Sequence, residues 1–316
     1  MVVHYSPIHT RELRLISSNL DKIAGSERTH FVSHDRAAYI IENVKTLAQY
    51  LQGSTFVFCG GLSIPLLLNQ LPMHWPSVLA ITKQFNPNVS IFQGFYRNHQ
   101  SVKLAVLEQD LVKLVQTAQS SNFRLFERTT EIKLGFGYKR DSYKEVTISD
   151  APKRKNLRFL RLSKEKSEEE KKGQLDLHQE DILTHIDIFI HSLVTLDPES
   201  GEYIPIKQVG EKYISPSEKV IQTKEIQVLS NDPCLNFKSQ PFTIPLNTIK
   251  NLETKIDEFP IKIISPIYLY LAKERVSKKN KKGEGRDKLD MNILTHLIDW
   301  LNLSEEFKLL RLPRDY

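Results

Sequence analysis

The stretch FVFCGGLSIPLLL at residues 56–68 constrains the fold more than any other part of the chain. Two apolar runs are broken there by adjacent glycines, Gly60 and Gly61. The first run, TFVFC, has the aromatic and β-branched composition of a buried strand. The second, LSIPLLLNQL, reads as a helix with Pro65 in its first turn, where a helix tolerates the missing N–H. The glycines then mark a strand-to-helix turn, where backbone can approach a ligand closely. The start of a helix also presents N–H groups that favour anionic phosphate. An ordinary tight turn is the alternative reading of the same pair.

The flanking segments supply the remaining elements. Residues 35–52 place Ala37, Ile40, Ile41, Val44, Leu47, Ala48 and Leu51 at helical spacing, with Asp35 able to cap the start and Gly53 after the end. PSVLAITKQF (76–85) has strand composition, and SVKLAVLEQDLVKLVQTAQS (101–120) reads as one long helix. FRLFER, TEIKLGFGY, EVTI and LRFLRL follow as strands of a mostly antiparallel sheet, and LTHIDIFIHSLVTL (183–196) is another, closed by the turn signal DPESGE. The chain ends in helices. SPIYLYLAKERVSKK (265–279) opens with Ser265 as cap and Pro266 at the first helical position. DKLDMNILTHLIDWLN (287–302) opens with Asp287 as cap, and a short helix follows Ser304. The fold class is therefore α+β, with a mixed sheet flanked by helices and a small C-terminal helical unit.

Composition narrows the function classes. The chain has 316 residues, 40% apolar and 26% charged, which suits a globular protein and excludes a disordered one. No apolar run reaches the roughly 18 residues of a membrane span. The N-terminus lacks the basic-then-apolar pattern of a secretory signal. Two cysteines, Cys59 and Cys234, make neither a disulfide framework nor a metal-ligand spacing, and Cys59 lies in an apolar run that should bury it. The expectation is a cytoplasmic protein with no membrane partner. The net charge of +6 favours anionic partners, namely a nucleotide, RNA or an acidic protein surface. Much of it sits in two runs, 151–166 and 273–288, for which solvated loops are the plain alternative.

The order of these pieces resembles the nucleotidyltransferase fold of the DNA polymerase beta superfamily. The likeness is to its small bacterial branch of AbiE-type toxins and antibiotic nucleotidyltransferases. Four places carry it: FVFCGGLSIPLLL, HIDIF, IISPIYLYLAKERV and GRDKLDMNIL. The resemblance implies that Gly60, Gly61 and Ser63 cradle phosphate and that Lys273 contacts it as a point charge. It implies that Asp187 is the third acidic residue of a magnesium site and that Arg286, Asp287 and Asp290 form the element near the lysine. The metals would bridge the triphosphate and polarise the attacking hydroxyl.

The sequence departs from that pattern at the metal pair. The family's Asp-x-Asp is expected on the strand after the glycines, where Trp75, Ser77, Leu79 and Ile81 fall instead. RTTEIKLGF offers Glu131 and Lys133 as the competing alignment, and Asp141 is a further carboxylate. Asp187 alone is a poor site for a hard cation, which takes several oxygen ligands. A metal site of His185, Asp187 and His191 on one strand face is conceivable by alternation, and polar residues on an open face are the plain reading. Lys273 likewise reads as a phosphate contact or a surface lysine.

Three domains are expected: an N-terminal extension over 1–33, a nucleotidyltransferase-like domain over 34–260 with a charged loop at about 150–180, and the helical unit over 261–316. The leading expectation is a degenerate nucleotidyltransferase-fold protein that binds nucleotide or nucleic acid with weak or no catalysis. The alternative is an active, Mg²⁺-dependent enzyme that moves a nucleoside monophosphate to a hydroxyl on RNA, protein or a small molecule, with Asp187 catalytic. An unrelated α+β fold is the third.

Overall fold

The structure is a computed structural model that describes residues 34–85, 87, 91, 94–97, 102–132, 139–147, 160–164, 185–232, 235–236, 241–248, 251–256, 258–279 and 284–311. The expected N-terminal extension, Cys234 and most of the charged loop at about 150–180 lie outside the described residues.

In chain order the helices and strands begin with α1 (His34–Tyr50), β1 (Val57–Cys59), α2 (Ser63–Leu68), α3 (Trp75–Phe85), β2 (Val102–Leu107) and α4 (Leu111–Ser120). β3 (Phe123–Ile132), β4 (Lys139–Glu145), β5 (Leu160–Lys164), β6 (His185–Leu196), β7 (Tyr203–Pro205), β8 (Lys207–Val209), β9 (Lys212–Ile214) and β10 (Val220–Ile221) follow. The chain continues with β11 (Ile226–Ser230), β12 (Thr243–Pro245), β13 (Leu252–Ile256) and β14 (Phe259–Ile263), then α5 (Pro266–Lys279), α6 (Glu284–Trp300) and α7 (Ser304–Arg311). The chain divides into two compact units. The first comprises Met1–Lys45, Phe58–Gln100 and Asn247–Tyr316, and the second Thr46–Val57 and Ser101–Leu246.

In the first unit β14 pairs antiparallel with β13 and parallel with β1, where Phe58 stands opposite Ile263. α2 and α3 pack against α6, and α6 against α5. Ser265 caps α5 as expected, accepting the Ile267 N–H at 3.3 Å. α5 and α6 run antiparallel: Ile267, early in α5, shares a buried cluster with Ile298, late in α6, while Lys273 meets Asp287 near the other ends. α7 closes the cluster with Phe307 against Tyr270.

The second unit is built on a large mixed sheet with the strand order β2-β6-β5-β3-β4, and with β11, β7 and β12 continuing it beyond the C-terminal half of β6. β2 and β6 are parallel, whereas β5 pairs antiparallel with both β6 and β3, and β3 likewise with β4. α4 packs on β3 and β2. Its buried Leu111, Leu114, Val115 and Ala118 recur at helical spacing. β8, β9 and β10 form a separate small meander.

Four local expectations are corrected. Residues 76–85 are the helix α3, not a strand. Pro76 sits at its start, and the buried Val78, Ile81 and Thr82 recur at three- and four-residue spacing, so periodicity overrides β-branched composition. Residues 101–120 are not one helix: VKLAVL is a strand buried on both faces, a near-continuous apolar run of the kind parallel pairing favours, and α4 begins at Leu111. α6 starts at Glu284, so Asp287 lies inside the helix and is not its cap. The strand expected at EVTI lies earlier, as Lys139–Glu145. The C-terminal helices and the turn at 197–202 follow expectation, Gly201 taking a φ of +68° there.

Candidate functional site

Gly60 takes a φ of +75°, a conformation that suits glycine, and so turns the chain out of β1. Its carbonyl accepts the Ser63 N–H at 3.2 Å, and that of Gly61 accepts the Ile64 N–H at 3.3 Å. Two N–H groups at the helix start are thus already used within the turn. Ser63 is fully buried and its hydroxyl has no hydrogen-bond partner among the described residues. α2 is only six residues long. Cys59, just before the turn, is a buried free thiol, as expected.

Lys273, the other residue expected to meet phosphate, is engaged by carboxylates. Its Nζ lies 3.3 Å from Asp287 Oδ1 and 2.5 Å from Asp290 Oδ2. One turn separates the two aspartates on α6, which puts both toward α5. Asp290 is completely buried and also accepts hydrogen bonds from the Tyr96 hydroxyl and the Arg97 Nε, each at 2.7 Å, and from Arg97 Nη2 at 2.6 Å. This bidentate fork is the geometry that arginine and carboxylate favour. Burial, followed by the Asp290 charge, holds the Tyr96 phenol well above its ordinary pKa. Burial opposes the charge on Arg97, but the hydrogen bonds and charge of Asp290 outweigh it and raise the pKa. Arg286 is exposed and stands 3.7 Å from Asp287. Tyr96 and Arg97 carried no signal in the sequence, since they lie outside any periodic element.

Asp187 belongs to the second unit. Register places it opposite Lys103 of β2 on one side and Arg161 of β5 on the other. The Arg161 Nε donates to Asp187 Oδ1 at 2.9 Å. The same register continues from Arg161 to Phe126 and from Phe126 to Glu145, so these five residues share one face of the sheet. Cations lie over the aromatic rings of this face. Arg161 sits 4.4 Å from the Tyr143 ring centre, Arg124 5.5 Å from that of Phe126, and the Lys103 ammonium 5.1 Å from that of Phe189. Arg124 Nε donates to Glu145 at 2.8 Å.

His185 is exposed and its Nδ1 lies 3.2 Å from the Ser163 hydroxyl. His191 is buried, and burial lowers its pKa to about 4, so it is neutral at neutral pH. Among the described residues no group of three or more His, Cys, Asp or Glu is placed to hold a metal ion. The backbones of Glu131 and Asp141 lie in β3 and β4, but their side chains are outside the described residues. Leu79 and Ile81 stand in α3 and not in the strand where the metal pair was expected. Of the sequence candidates, the structure therefore joins Lys273 with Asp287 and Asp290 in the first unit, while Asp187 sits on a cation-rich sheet face in the second. The alternating Leu160-Arg161-Leu162 was the available signal for that face.

No family model matches the chain, and neither a curated protein nor a solved structure matches it. Among the described residues no helix is long and apolar enough to cross a membrane.

Proposed function

We propose that this chain is a degenerate nucleotidyltransferase-like protein that binds nucleic acid or nucleotide in the cytoplasm and carries out little or no transfer. The observation that carries the reading is the register Lys103–Asp187–Arg161. A catalytic magnesium takes several oxygen ligands and bridges negatively charged groups. Here both strand positions beside the aspartate carry cations, and one of them is hydrogen-bonded to it. Such an aspartate orients cations and tempers their charge. The same cations attract phosphate, in keeping with the chain's net charge of +6.

Lys273 supports the same conclusion from the other unit. Two carboxylates already neutralise its ammonium, which weakens it as a phosphate clamp. The test is a transfer assay over the four labelled nucleoside triphosphates with RNA and protein acceptors, with and without Mg²⁺ or Mn²⁺. The expected result is weak or absent transfer. Robust transfer that disappears in Asp187→Ala would establish an active enzyme and overturn the reading.

A further inference from the structure

We infer that the outer part of the second unit's sheet face, from the half-buried Arg161 and Phe126 to the exposed Arg124 and Tyr143, is a stacking platform for single-stranded nucleic acid. This inference rests on the nucleic-acid reading above and names where and in what form the ligand is held.

The face has a gradient of exposure. The Asp187 side chain is 9% exposed and that of Arg161 19%, whereas Arg124 reaches 46% and Tyr143 as a residue 40%. The accessible end is therefore the β3-β4 side. Phe126 on β3 and Tyr143 on β4 lie on adjacent strands, Phe126 opposite Glu145 and Tyr143 two residues before Glu145. They are diagonal neighbours, about 7 Å apart by sheet geometry, a spacing that sets two stacking positions side by side.

Each ring already carries a guanidinium, and a guanidinium plane is itself a surface on which bases stack. The two arginines differ in how they are held. Arg161 is anchored to the buried Asp187, which holds its guanidinium over Tyr143. Arg124 pairs with the exposed Glu145, and an exposed pair is weak enough to exchange for phosphate. The platform thus has a fixed stacking half and an exchangeable, phosphate-seeking half. Lys103 adds charge along the same row, and β5 lies within the basic run 151–166.

Base stacking on aromatic rings tolerates any sequence and needs unpaired bases, whose faces a duplex hides. A protein partner would instead need apolar anchors, and this part of the face pairs its rings with cations. The ligand is therefore an unpaired strand, with RNA and DNA distinguished by experiment.

The experiment is fluorescence anisotropy with the full chain and three labelled probes: a 12-nucleotide oligouridylate, a 12-nucleotide oligothymidylate and a 12-base-pair duplex. Tyr143→Leu and Phe126→Leu keep apolar bulk but remove the ring, and circular dichroism confirms that each variant is folded. The expected result is binding of the single strands well above the duplex, with each variant weakening it about tenfold or more. A preference for oligouridylate or oligothymidylate assigns RNA or DNA as the ligand under this proposal. Single-strand binding that neither variant changes would overturn the platform and leave the general reading intact. Equal binding of duplex and single strand, insensitive to both variants, would overturn it in favour of a purely electrostatic surface. Displacement by polyglutamate as effective as by unlabelled oligonucleotide would reassign the face to an acidic protein. No binding of any probe would overturn both the platform and the nucleic-acid reading.

Discussion

Asp290 and Asp187 are both buried aspartates held by arginine, yet they sit in opposite kinds of surroundings. Asp290, in the first unit, is 0% exposed and collects Tyr96 and Arg97 from one segment and Lys273 from α5. Asp187, in the second, lies in a row of side chains that runs outward across a sheet to exposed Arg124 and Glu145. A closed network satisfies every group and leaves no charge for a ligand, so its role is to fix packing. An open row keeps its outer members in water, where they can exchange partners. A carboxylate's neighbours thus decide its role: the same residue type is a structural node in one unit and an organiser of a surface in the other.

The largest expected effect breaks the closed network. Asp290→Ala leaves Arg97 and Lys273 without their shared counter-charge in a buried site, and removing one partner of such a pair costs about 3–5 kcal/mol. Urea unfolding monitored by fluorescence should show a loss of that order. A loss near that of an exposed ion pair would mean that the network is not closed.

Acid should act next, on the second unit. Burial lowers the pKa of His191 to about 4 in the folded chain, while the unfolded side chain titrates near 6.5. Between those values the unfolded state binds more protons, so stability is complete above about pH 6.5 and falls as pH drops toward 4. The shift corresponds to roughly 3 kcal/mol. Hydrogen exchange in β6 at pH 7 and pH 4.5 would show the loosening, and His191→Asn should remove this part of the pH dependence.

Gly94→Ala tests the packing of the first unit without touching a charge. Gly94 has a φ of +79°, and a Cβ there would lie 2.7 Å from the Pro65 carbonyl oxygen and 3.0 Å from the Leu68 Cβ. Left-handed strain plus this contact with α2 should cost about 2 kcal/mol, read as a lowered Tm. At the other extreme, Glu145→Gln should leave Tm unchanged, because the Arg124–Glu145 pair is exposed. A measurable loss there would make the outer row structural and erase the contrast between the two regions.

Much of the fold was legible because its signals are local. The Gly60 turn, the Ser265 cap and the spacing of Ala37, Ile40, Val44 and Leu47 follow from backbone chemistry and periodicity. The misreadings also have local causes. Val78, Ile81 and Thr82 are β-branched residues on a helix, and Val102–Leu107 ran into the periodicity of α4 and hid a strand. The site was less legible because it depends on distant pairings. Tyr96 and Arg97 meet Asp290 across nearly two hundred residues, and Arg161 meets Asp187 only through the register of β5 on β6. No spacing in the chain encodes such a register.

On the function proposed above, Asp187 organises cations and does not ligate a metal. Titration of the chain with Mn²⁺, followed by electron paramagnetic resonance of the free ion, tests it directly, with wild type compared against Asp187→Asn. The two curves should superimpose, because Asp187 Oδ1 accepts from Arg161 and the residues opposite it on both neighbouring strands are cations. A saturable, stoichiometric Mn²⁺ site in the wild type that Asp187→Asn abolishes would contradict it.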